Sequence, residues 1–244
     1  MEKIKLGAVS YLNTKPLLYG IKRSEKLLNQ LIITEDYPSK ISEMLLNGSI
    51  DIGLVPVAIL PKLKEYFIVS NYCIGADGDV ASVCLFSEVP LHKIKTVLLD
   101  YQSKTSVALC KILMRDYWKI NPAFENTNAA FSSSITGTTA GVIIGDRALQ
   151  QTHISKYVYD LSGAWKSFTG MPFVFAVWAS NKKIDPSFIT LFNECNKYGI
   201  ENLDEVIKHE NISFYDLHYY YTKNISYLFN DEKKKGMNLF LEML

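Results

Sequence analysis

Short apolar runs alternate along the first third of the chain with stretches of helical spacing. Ile4-Lys5-Leu6-Gly7-Ala8-Val9 and Leu31-Ile32-Ile33-Thr34 read as strands. Residues 38–48 read as a helix: Ile41, Met44 and Leu45 share one face, Pro38 suits the first turn, and Gly48 suits the C-terminal cap. Asp51-Ile52-Gly53-Leu54-Val55 is a further buried strand, and Pro56 starts a short helix over 57–63. Strand, helix, strand, helix predicts a parallel sheet with right-handed crossovers.

The middle of the chain repeats the alternation. Strands are expected over 80–86, 95–100 and 141–147, and a helix over 107–118 that Thr105 or Ser106 would cap. The Ser/Thr-rich residues 132–139 read as a loop. Residues 173–179 form the last strong strand. Beyond it the pattern is helical over 186–198, 203–209, 213–221 and 232–244, with no returning strand. The runs at 80–86 and 173–179 suit crossovers between two lobes. Lobe one would comprise residues 1–88 and 177–244, and lobe two residues 89–176. The expected architecture is α/β and two-lobed, with a small-molecule cleft between lobes that close by hinge motion.

Composition narrows the function. The chain has 244 residues, 48% apolar, enough to bury a full core. Lys plus Arg number 26 against 25 Asp plus Glu, and no basic stripe argues for nucleic acid. With only Arg23, Arg115 and Arg147 as arginines, an anionic ligand must rely mainly on backbone amides, hydroxyls and lysines. Cys73, Cys84, Cys110 and Cys195 lack metal-ligand or CxxC spacing, and Cys84 and Cys110 read as small buried hydrophobes. Without a signal-peptide pattern or a membrane-length apolar run, the chain reads as a soluble, reduced, cytoplasmic protein.

The most informative segment is Ser10-Tyr11-Leu12-Asn13-Thr14-Lys15-Pro16, between the first strand and a helix opening at Pro16. Such loops bind ligands in open α/β sheets, and free N–H groups at a helix start favour anions. The plainer reading is that Ser10 or Asn13 caps the helix.

Five segments then occur in register: Ser10-Tyr11-Leu12-Asn13, Asp51-Ile52-Gly53-Leu54-Val55-Pro56, Thr105-Ser106-Val107-Ala108-Leu109, Ile144-Gly145-Asp146-Arg147-Ala148-Leu149, and the run from Trp165 through Thr169, Gly170, Met171 and Pro172 to Trp178. Together they resemble the chorismate dehydratase family of the futalosine route to menaquinone, over residues 4 to about 180. The resemblance implies a type II periplasmic-binding-protein-like fold used as an enzyme. It implies loss of water from chorismate to give 3-[(1-carboxyvinyl)oxy]benzoate, a hydro-lyase reaction with no metal or organic cofactor. Asn13 and Ser82 are then the expected catalytic residues. Ser10, Tyr11, Thr105, Ser106 and Asp146 are the expected substrate contacts, with Thr105 and Ser106 as a carboxylate cradle. Asp146 also suits an N-cap or an ion pair with Arg147, and Ser82 a strand hydroxyl bonded to backbone. None of His92, His153, His209 and His218 lies in a matched segment; His218 reads as a packing residue. The enolpyruvyl carboxylate of the substrate is therefore the expected base. The alternatives are 1,4-dihydroxy-6-naphthoate synthase, which shares the fold, and a non-catalytic sensor of a small anion.

Overall fold

A computed structural model describes residues 3–128 and 131–244. The chain opens with β1 (Ile4–Val9), a 3-10 turn (Leu12–Thr14), α1 (Lys15–Arg23), α2 (Glu25–Leu28), β2 (Leu31–Asp36), α3 (Pro38–Leu46) and β3 (Ile52–Pro56). Gly48 follows α3 at φ +76°, the left-handed position that glycine occupies without a Cβ clash. β1 runs parallel to both β2 and β3, as the alternation predicts. The short helix after Pro56 is a 3-10 helix, Val57–Lys62.

The sheet becomes mixed beyond β3. β4 (Phe67–Ala76) leads to the second sheet, built from β5 (Val83–Ser87), β6 (Thr96–Leu99), α4 (Lys104–Ile112), β7 (Ala123–Asn126), β8 (Thr139–Ile144), α5 (Asp146–Gln151), β9 (Tyr157–Asp160) and α6 (Leu161–Thr169). β10 (Phe173–Ser180) then returns antiparallel to both β3 and β4. Strand order is β11-β4-β10-β3-β1-β2 in the first sheet, β11 being Ser226–Leu228 near the C-terminal end, and β7-β6-β8-β5-β9 in the second. In the second sheet Leu85, Val97 and Val142 join the main core, while Cys84, Phe86, Leu98 and Ile143 build a smaller cluster on the other face. Both faces are thus covered, each fully buried large apolar side chain contributing roughly 1.5–3 kcal/mol. All four cysteines are buried and free.

Neither expected crossover strand passes between sheets. β5 pairs with β8 and β9 in the second sheet, and β10 with β3 and β4 in the first. We therefore place the lobe boundaries in the loops at 77–82 and 170–172.

The final third holds α7 (Pro186–Glu201), α8 (Leu203–Lys208), α9 (Leu217–Tyr219), β11 (Ser226–Leu228) and α10 (Asp231–Glu242). Two departures from the helical expectation matter. α9 gives way to a π-turn over Tyr220–Asn224, and a strand does return: β11 pairs antiparallel with β4. Three residues carry no readable period. β11 is held instead by the buried Lys233 of α10, whose ammonium donates to the Leu228 carbonyl at 2.8 Å, the Ser226 hydroxyl at 2.7 Å and the Ser226 carbonyl. His218 is exposed, against its expected packing role. Among the described residues, no helix is long and apolar enough to cross a membrane.

Candidate active site

Ser82 enters the cleft on a strained turn. Ala81 has φ +60°, and Ser82 N–H donates to the Val80 carbonyl at 2.7 Å, closing a three-residue γ-turn that is costly for a residue other than glycine. Three bonds hold it. Asp160 accepts the Ala81 N–H at 2.7 Å, the Cys84 thiol donates to the Ala81 carbonyl at 3.4 Å, and Gly145 N–H donates to the Ser82 carbonyl at 2.8 Å. Asp160 also caps α6 through the Ser162 and Gly163 N–H groups. Burial pushes its carboxyl up to about 6 against the pull of those backbone donors. With the Ser82 backbone so committed, its hydroxyl is fully buried and makes no hydrogen bond. The bland expectation, a strand hydroxyl bonded to backbone, is not what the structure shows.

Asn13 lies in the 3-10 turn after β1. Its side chain makes no cap; its Oδ1 accepts the Thr14 hydroxyl at 3.2 Å. Its backbone carbonyl accepts the Tyr227 hydroxyl from β11 at 3.0 Å, so the C-terminal segment braces the loop. That segment also places Tyr220 beside it.

From the second lobe, Ser103 caps α4 by accepting the Ser106 N–H at 3.1 Å and donates to the Ser106 hydroxyl at 2.9 Å. The cap is therefore Ser103, two residues before Thr105 and three before Ser106. Capping leaves Ser106 Oγ free to donate into the space it faces.

Between these groups lies an interlobe cavity of about 50 Å³, room for a few waters and less than the roughly 150 Å³ that admits a benzene. Its polar lining includes Tyr11, Asn13, Thr14, Ser82, Ser103 and Ser106, and its apolar walls include Pro56, Ile74, Ile144 and Phe175. Among the described residues the lining has no lysine, arginine, histidine or carboxylate. Of the expected site residues, Asn13, Ser82, Tyr11 and Ser106 thus come together. Ser10, Thr105 and Asp146 do not line the cavity. Ser10, just past the end of β1, is exposed.

Thr105, Asp146 and Tyr11 hold the lobes together. Thr105 Oγ1 accepts the Ala58 N–H at 3.1 Å, Asp146 accepts the Leu12 N–H at 3.1 Å, and the Tyr11 hydroxyl donates to Gln102. Neither plain alternative for Asp146 holds. It is no N-cap, and Arg147 pairs with Asp100 at 2.7 Å and with Gln102 Oε1 at 2.6 Å. Burial raises the Asp146 carboxyl, opposed by the Leu12 N–H and Lys15. The Tyr11 ring lies on Gly145, where a Cβ would sit 3.0 Å from it. Ser103, Tyr220 and Tyr227 escape sequence reasoning. Only the tyrosine run at 219–221 could have pointed to this segment.

Two sheets enclosing a mostly apolar cavity dotted with hydroxyls and one amide give a periplasmic-binding-protein-like fold. Solved structures with the same fold include a protein of Archaeoglobus fulgidus (TM-score 0.72, 13% identity, 99% of this chain and 96% of that one). Another is the alkanesulfonate-binding protein SsuA of Xanthomonas axonopodis bound to MOPS (0.64, 14%, 98% and 90%). The chain belongs to the menaquinone biosynthesis family, whose model matches residues 4–244. It is 26% identical to the chorismate dehydratase of Thermus thermophilus, with 100% of this chain and 96% of the relative covered. It is 25% identical to that of Campylobacter jejuni, with 97% and 95% covered.

Proposed function

We propose that the protein is a chorismate dehydratase, a hydro-lyase that converts chorismate to 3-[(1-carboxyvinyl)oxy]benzoate and water. The observation that carries the reading is a neutral cavity in a chain of this family: one amide, several hydroxyls, and no ionic side chain among the described lining residues. That lining suits an elimination whose driving force is aromatisation. The ring hydrogen beside the enolpyruvyl ether is acidified by the conjugated ring carboxylate. The enolpyruvyl carboxylate takes that proton and delivers it to the departing hydroxide, so the carboxylate is regenerated and one water leaves. The protein supplies position and preorganised donors. Asn13 holds the enolpyruvyl carboxylate, Ser82 donates toward the leaving oxygen, and Ser106 with the start of α4 receives the ring carboxylate. The lobes open to admit the substrate and reclose through Thr105, Asp146 and Tyr11.

Purified protein mixed with chorismate and followed by liquid chromatography and mass spectrometry tests this. An aromatic acid lighter than chorismate by one water is expected. Binding without conversion would make the protein a sensor, and neither would remove the substrate assignment. A chorismate analogue lacking the enolpyruvyl carboxylate should bind and not react; turnover at the normal rate would sink the substrate-as-base step.

A further inference from the structure

Tyr220 stands where α9 ends and the π-turn over Tyr220–Asn224 begins. Its ring packs edge-on against Tyr215 (5.9 Å between centroids) and tilted on Tyr221 (5.6 Å). Its backbone is fully used, N–H to the Asp216 carbonyl and carbonyl to the Ile225 N–H, both at 2.9 Å. The hydroxyl is different. It is completely buried beside the Ser82 and Asn13 side chains and has no hydrogen-bond partner. Burial holds the phenol firmly protonated, so it can only donate or accept as O–H.

Two neighbouring buried hydroxyls, Tyr220 and Ser82, are therefore both without a partner, and Ser82 opens onto the cavity. Burying an unsatisfied hydroxyl costs about 1–3 kcal/mol, and a phenylalanine would fill the same ring space without that cost. A small rotation of the Ser82 hydroxyl toward a ligand turns its lone pairs back to Tyr220.

We propose that Tyr220 is a positioning residue for the reaction: with substrate bound, its hydroxyl donates to Ser82 Oγ and so aims the Ser82 O–H at the departing oxygen. No proton changes owner at Tyr220; the bond orients and polarises Ser82. The π-turn begins at this residue, and such turns are frequent at functional sites. The role rests on the dehydratase reading.

The test is a four-protein cycle, unaltered, Tyr220→Phe, Ser82→Ala and the double variant, assayed with chorismate and melted without it. Tyr220→Phe should lower kcat roughly tenfold, the worth of one well-placed hydrogen bond, with KM within about twofold. In the Ser82→Ala background the same substitution should lower kcat no further, because its only route is through Ser82. Its Tm should be unchanged or raised. An unchanged kcat, an equal loss in both backgrounds, a Tm several degrees lower, or failure to fold would each overturn the proposal, the last two by showing a structural hydroxyl. If the unaltered protein converts no chorismate, the dehydratase reading falls and the positioning role with it; a lowered Tm would then refute the unsatisfied hydroxyl as well, whereas a Tyr220→Phe defect confined to kcat in an active enzyme leaves the dehydratase reading intact.

Discussion

The side chain that separates capping from chemistry is Asn13. It caps nothing, so Asn13→Ala should leave the urea midpoint almost unchanged while lowering turnover by roughly two to three orders of magnitude, the usual loss of a preorganised donor. A stability loss of about 1 kcal/mol with normal turnover would show a capping role instead. Asp160 gives a second residue-scale expectation. Its carboxyl, raised to about 6 by burial, stays protonated in the folded protein where the unfolded chain has already released its proton. This group's contribution is therefore complete below about pH 4 and is lost as pH rises through about 6. Asp160→Asn keeps the cap and cannot ionise. The difference in urea midpoint between variant and unaltered protein should grow in the variant's favour from pH 4 to pH 7; a constant difference would refute the raised carboxyl.

Helix packing behind the site depends on two glycines. α1 follows the loop bearing Asn13 and crosses α7 at Gly20 and Gly199, where backbones touch. A Cβ on Gly199 would lie 1.8 Å from the Pro16 carbonyl oxygen, and one on Gly20 1.9 Å from that of Cys195. Neither obstacle is a flexible side chain, so the helices must separate. Gly199→Ala should cost about 3 kcal/mol or more by urea unfolding, despite a gain of about 1 kcal/mol in helix propensity. A neutral effect would mean that the crossing yields easily. Helices α1, α3, α7 and α10 were legible because each buries an amphipathic face through local spacing. β11, β9 and the π-turn over Tyr220–Asn224 were not, since each is too short to show a period and exists only through what it packs against.

At the scale of the whole molecule, the hydrogen bonds of Tyr11, Thr105 and Asp146, with those of His153 to the Phe214 carbonyl and Arg115 to the Met243 carbonyl, join the lobes around a cavity too small for a ring-bearing ligand. A buried carboxylate bond is worth about 1.5–3 kcal/mol, so Asp146→Ala should shift the closed-to-open ratio at least tenfold toward open. Small-angle scattering of the unliganded variant should give a larger radius of gyration that substrate reverses; identical scattering would show that this bond does not hold the lobes. Thr105→Val strips the Ala58 N–H of its partner and should raise KM more than it lowers kcat.

The amino-acid sequence by itself determined the α/β alternation, the two-lobed class, and the loop bearing Asn13, because local period, turn residues and five segments in register are all carried within short windows. The tertiary structure alone decided which lobe β5 and β10 join, that Ser103 and not Thr105 caps α4, and that Thr105 and Asp146 bridge the lobes. It also brought Tyr220 and Tyr227 from the far end of the chain to Asn13 and Ser82. Those outcomes depend on pairing between residues tens to hundreds of positions apart, and no local pattern records which buried hydroxyl is left without a partner.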